Sequence, residues 1–200
     1  MILPDSASSQ RIEALVGELE RATEAEIVVV VARRSGSYRD VPLLVGAGVA
    51  LLVLLLVLHL PVTFHPLTLP VHVLLPALLA GWLAGRSDAL LRAFTGAARR
   101  RTQVEEAARA AFVEEAVHGT RSRSGLLIYA SEAEQRAAIV RDLGLDGRIP
   151  GAAWSGLTLE LRDLAGLEAL LRAVGAILAE RLPARGENPN EIPDAPRVRR

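Results

Sequence analysis

Residues 41–85 read VPLLVGAGVALLVLLLVLHLPVTFHPLTLPVHVLLPALLAGWLAG, 45 residues without an Asp, Glu, Lys or Arg. Outside this run a charged side chain falls about every third or fourth residue. A hydrocarbon core about 30 Å thick is crossed by about 20 helical residues rising roughly 1.5 Å each. The run supplies two such lengths, Val41 to Leu60 and Leu67 to Gly85, joined by the Pro-bounded link PVTFHP. Buried helices of a soluble core would carry a polar stripe where they meet water, and neither length does. A cleaved signal peptide is not expected, because the run begins 40 residues in and follows a charged, patterned segment. The expected organisation is a transmembrane helical hairpin at 41–85, flanked by polar segments.

Arg33, Arg34 and Arg39 precede the first span, and Arg86, Arg92, Arg99, Arg100 and Arg101 follow the second. The link carries no charge beyond histidine. By the positive-inside rule both flanks belong in the cytoplasm, giving a multi-pass protein of a bacterial inner membrane. Gly46 and Ala50 in one span, and Ala77, Gly81 and Gly85 in the other, have the spacing that lets backbones approach closely. Pro76 lies deep enough in the second span to kink it. His59, His65 and His72 gather near the link, where a metal or haem site is conceivable but interfacial placement of amphipathic rings is the simpler account.

The flanks read as one α/β domain. Residues 6–23 begin with cap-competent serines and place Ile12, Leu15, Val16 and Leu19 at helical spacing. Glu26–Ala32, EIVVVVA, is β-branched without alternation, as a strand covered on both faces must be. So short a piece closes no core alone, so its partners lie beyond the hairpin. They are a long helix over 87–117 ended by His118-Gly119, a strand GLLIYAS at 125–131, and a strand QRAAIVRDL at 135–143. Helical spacing follows at 152–161 and 166–182. The expected fold is a central mixed sheet with helices on both faces, interrupted by the hairpin. Its divisions are 1–40, 41–85 and 86–182, with the proline-rich 183–200 a disordered tail.

Acidic and basic residues balance at 23 each, so no global field favours nucleic acid. Every one of these basic residues is Arg, which lowers the information in any single one. With no Cys there is no disulfide, thiolate nucleophile or cysteine-bound metal. The sequence sets no oligomeric state.

The strand ending in Arg33-Arg34-Ser35, Tyr38-Arg39-Asp40 entering the apolar run, the His118-x-Thr120 turn and the strand pair closing in Asp142-x-Gly144 together resemble the bacterial membrane-anchored branch of the TPM domain family. The resemblance covers roughly residues 9–182. It implies a compact domain with a central sheet and helices on its faces. Relatives include a thylakoid-lumen protein linked to photosystem II repair and described as an acid phosphatase, and an auxiliary subunit of an acetylcholine receptor. That spread favours a module that binds or helps assemble membrane protein partners, with a weak metal-dependent phosphatase or other hydrolase as the alternative.

No nucleophile motif or glycine-rich phosphate loop is present. The chemistry-bearing candidates are carboxylates near strand ends: Asp142, Asp146, Glu132 and Glu134 would form an oxygen-ligand site for calcium or magnesium if they converged. Their simpler role is in turns around Gly144 and Gly147 and in solvent. His118, Thr120 and Arg121 form a candidate anion site, with helix termination as the simpler role for His118.

Overall fold

The structure, a computed structural model, describes residues 2, 5–61, 65–185 and 191–199. The chain divides into two compact units, Met1–Gly36 with Arg100–Arg200, and Ser37–Arg99. The first cut falls 4 residues before the division expected at 40, and the second 14 residues after the division expected at 85.

In chain order the elements are α1 (Ser6–Glu20), β1 (Glu26–Ala32), α2 (Asp40–His59), α3 (Leu69–Arg86), α4 (Asp88–Phe94), α5 (Ala97–Glu114), β2 (Gly125–Ser131), β3 (Arg136–Arg141), α6 (Leu143–Asp146), α7 (Leu164–Arg181) and β4 (Arg197–Arg199). The sheet has the order β3-β2-β1-β4. β1 runs parallel to β2 over all seven residues, Glu26 opposite Gly125 and Ala32 opposite Ser131. β3 returns antiparallel to β2, and β4 lies parallel to β1 at its outer edge. The expectation of a mixed sheet holds.

All seven residues of β1 and of β2 are buried, which is why neither alternates. Ile27, Val29, Val31, Leu126 and Ile128 point to the face covered by Ile12, Leu15 and Val16 of α1 and Leu167, Leu171, Val174 and Leu178 of α7. Val28, Val30, Ala32, Leu127 and Tyr129 face Val104, Ala108 and Ala111 of α5. α1 is capped by Asp5, which accepts from the Ser8 amide at 2.8 Å, rather than by a serine.

In the Ser37–Arg99 unit, α2 and α3 are long and apolar enough to cross a membrane, with mean hydropathy 2.9 and 1.3. Their backbones touch through small residues. A Cβ on Gly81 would lie 2.9 Å from the carbonyl oxygen of Pro42, and one on Gly46 3.1 Å from that of Ala77. α3 continues through Pro76. Tyr38, Val41 and Leu91 form a small core of their own. Arg99 holds Asp40 with two hydrogen bonds of 2.5 and 2.9 Å. Link residues 62–64 lie outside those described.

Four expectations need correction. The long helix over 87–117 is two helices, broken where Gly96 follows Thr95. It also stops earlier, for α5 ends at Glu114 and the left-handed residue behind it is Ala116, at φ 52°, not the glycine of His118-Gly119. Residues 152–161 are not a helix. After a 3-10 turn at Gly151–Trp154 the chain is extended, and its leucines at 157, 159 and 161 follow the strand period of two. Leu159 and Leu161 bond to the backbone of Ala137 and Gln135 beside β3.

The fourth correction concerns the tail. Within 183–200, residues 191–199 are ordered on the sheet: Ile192 packs against the α5-side core and Arg197–Arg199 pairs with Val30–Ala32. Arg197 and Arg199 are matched by Glu114 and Glu115 at the end of α5. Residues 186–190 and 200 lie outside those described.

An L-residue at φ 52° carries a cost of roughly 1–2 kcal/mol that glycine avoids. Ala116→Gly is expected to raise the unfolding free energy by roughly 0.5–1 kcal/mol once the entropy of glycine is offset. Denaturation in mild detergent, followed by Trp154 emission in a Trp82→Phe background, measures it.

Candidate functional site

The four carboxylates proposed for a cation do not meet. Glu132 and Glu134 follow the C-terminal end of β2, while Asp142 and Asp146 follow β3, whose antiparallel return brings Asp142 beside Gly125 at the other end of β2. Six strand residues at roughly 3.3 Å each put the two pairs about 20 Å apart. Each carboxylate is engaged locally. Glu134, 3% exposed, accepts from the amides of Ser35 at 3.1 Å and Gly36 at 3.2 Å and from the Ser131 hydroxyl. It ties the end of β1 to the β2–β3 turn. Glu132 accepts from the Ile2 amide.

Asp142 caps α6 by accepting from the Leu143 amide at 2.8 Å, and its other oxygen lies 3.3 Å from Arg123. Asp146 pairs with Arg141 at 2.9 Å. Among the described residues no group of three His, Asp or Glu side chains is arranged to hold a metal ion. His59 and His72 turn their Nδ1 atoms to carbonyls one helical turn back, Leu55 and Thr68.

The anion site is differently built. Thr120 is buried and its hydroxyl accepts from the Ser124 amide at 3.1 Å, closing the turn before β2. His118 stacks obliquely beside Phe112, with ring centres 6.2 Å apart. Arg121 does bind an anion, through its backbone amide and not its guanidinium: Glu191 of the C-terminal segment accepts from it at 3.0 Å. Around this contact Glu115, Gly119, Thr120, Glu191, Ile192 and Arg197 line a cavity of about 350 Å³.

Sequence reasoning placed Glu26 among the acids near strand ends but did not assemble the acidic wall along the outer side of β1. Glu20 at the end of α1 is 7% exposed, and it accepts from the Ile27 amide at 2.6 Å, filling the ladder position below the start of β4. Glu26, 3% exposed, accepts from the Ile192 amide at 3.4 Å. Further along, Arg199 reaches Glu114 and Glu115 at 2.6 Å each, and Arg197 reaches Glu115 at 3.3 Å. Burial pushes the Glu20 carboxyl up to about 8, with Glu26 and Asp194 adding repulsion and Asp194 sharing a hydrogen bond with it. Burial likewise raises Glu26, with Glu191 and Asp194 nearby. The one signal in the sequence was Glu26 at the head of the otherwise apolar EIVVVVA, since Glu20 lies on a helix with several other charges.

Fold and site together define a mixed α/β domain with an insertion of two long apolar helices, its sheet edge closed by its own acid-bound C-terminal segment. No family model matches the chain, and no curated protein matches it. The fold is similar to that of the BA42 protein from the psychrophilic bacterium Bizionia argentinensis, known from an NMR structure. The two share 14% identity at a TM-score of 0.56, over 97% of this chain and 94% of the other.

A group whose folded pKa is about 8 against an ordinary 4.5 keeps its proton in the folded state while the unfolded state loses it. Stability is therefore greatest at the acid end and falls as pH rises from about 4.5 to about 8. Glu20→Gln keeps an acceptor for Ile27 and a donor for Asp194 without a proton to lose. The variant is expected to unfold at higher denaturant than the wild type at pH 8 and to lose part of the pH slope. Denaturation midpoints across this window provide the check, and identical slopes would count against it.

Proposed function

We propose that the chain is a membrane-tethered, TPM-like module that binds membrane protein partners and assists their assembly or maintenance. One observation carries the reading. Leu43, Leu44, Leu51, Leu52, Leu58, Leu74, Leu75 and Leu78 of α2 and α3 are all more than half exposed, and only 6% and 11% of the two apolar windows are buried within the chain. Lengths of 20 and 18 residues suit a bilayer as their cover. Arg39 and Arg86 sit at one end of the groove between α2 and α3, with Arg86 stacked 3.8 Å over Trp82, as interface anchors do.

The flanking arginines favour an inner-membrane hairpin with both polar segments in the cytoplasm. The α/β domain then grows on the same face, split by its own anchor. A metal-dependent phosphatase built on Asp142 gains no support, since that carboxylate is committed to the α6 cap and Arg123.

Reporter fusions inserted at Gly36 and at the C-terminus are expected to read as cytoplasmic, and the protein is expected to resist alkaline carbonate extraction. Photo-crosslinking from the exposed faces in native membranes is expected to recover discrete membrane protein partners. An external reporter at either position overturns the topology, and crosslinking that recovers lipid alone overturns the partner role.

A further inference from the structure

β4 is three residues long, and its central Val198 is 57% exposed. It is held by charge: Arg197 and Arg199, opposite Val30 and Ala32, turn to Glu114 and Glu115. Those glutamates occupy the C-terminal end of α5, where the helix dipole disfavours negative charge and the last turn carries no basic residue. Acid placed there raises the cost of the helix and is repaired only by a cation from outside it. The tail supplies that repair, Arg199 to both glutamates and Arg197 to Glu115. Beside it remains the cavity of about 350 Å³ lined by Glu115, Glu191 and Arg197, and buried Glu26, which accepts from the Ile192 amide through one oxygen, leaves its Oε1 atom without a hydrogen-bond partner among the described residues.

We propose that the outer edge of β1, walled by Glu114 and Glu115, is a receptor groove for an extended Arg-x-Arg segment of a partner membrane protein, which residues 191–199 occupy as an internal competitor. The recognition is strand addition: the β1 backbone supplies the ladder, and alternate arginines reach the two glutamates while the residue between them faces out. Membrane proteins concentrate arginine in their cytoplasmic segments, so such strands are what a module on that face meets. The inference rests on the partner-binding reading above and names the chemistry of the partner.

The test uses the full chain in detergent micelles and a fluorescent peptide, EIPDAPRVR, with the sequence of residues 191–199. In the Arg197→Glu, Arg199→Glu double variant the internal segment is repelled and the groove kept. This variant is expected to bind the peptide on the order of tenfold more tightly than the wild type, and adding Glu114→Gln and Glu115→Gln is expected to abolish that gain. Equal affinity in all three chains overturns the proposal.

Should the double variant not fold, excess peptide added to the isotope-labelled wild type is expected to shift the Arg197, Val198 and Arg199 amide signals to free positions. Unmoved signals overturn the proposal. A concentration-dependent wild-type dimer that the arginine substitutions abolish would reassign the groove to the tail of a second copy. Partner crosslinks that persist without peptide binding refute the groove alone, whereas their absence refutes the partner-binding reading itself.

Discussion

The pairing of β1 with β2 governs everything else in the α/β domain. Two parallel strands cannot be joined by a tight turn, so the chain must leave the sheet at Arg33 and return by Ser124. The entire Ser37–Arg99 unit lies in that excursion. Because both strands are buried on both faces, each needs helices above and below, and those come from opposite ends of the sequence, α1 and α7 on one side and α5 on the other. The N-terminal flank, Met1–Gly36, is too short to close a core by itself. The hairpin is therefore an insertion into one folding unit and not a spacer between two.

A sheet whose central strands run parallel still has edges, and the way this chain closes them accounts for its acidic groups. On the outer side of β1, Glu20 takes the Ile27 amide, Glu26 receives Ile192, and Glu114 with Glu115 hold the arginines of β4. At the other end Glu134 gathers three donors from the ends of β1 and β2. Glu20, Glu26 and Glu134 thus accept from backbone amides, and Glu114 and Glu115 from arginine.

What was legible in the sequence follows the strength of local signals. The unalternating EIVVVVA and GLLIYAS and the apolar stripe of α7 each carry their burial in their own composition, and the structure agrees with them, while the uncharged run forms two long apolar helices. Whether the carboxylates converge was not legible, because proximity to a turn does not say which end of the sheet the turn occupies. That depends on the antiparallel return of β3, which puts Asp142 beside Gly125 while Glu132 stays beyond Ser131. The tail was misjudged for a related reason: Arg199 meets Glu114 across 85 positions, and no local window reveals that match. At 152–161 a leucine period of two was read as helical, and backbone bonds to the Ala137 side of β3 decided otherwise.

Amide hydrogen exchange on the full-length chain in lipid nanodiscs tests the single-sheet account most directly. If β1 and β2 form one cooperative ladder, the amides of Val28 to Val31 and of Leu127 to Ala130 exchange at a common slow rate and lose protection together when denaturant is added. Rapid exchange in β1 beside a protected β2 would mean that the two flanks of the hairpin do not share a sheet, and would contradict the account.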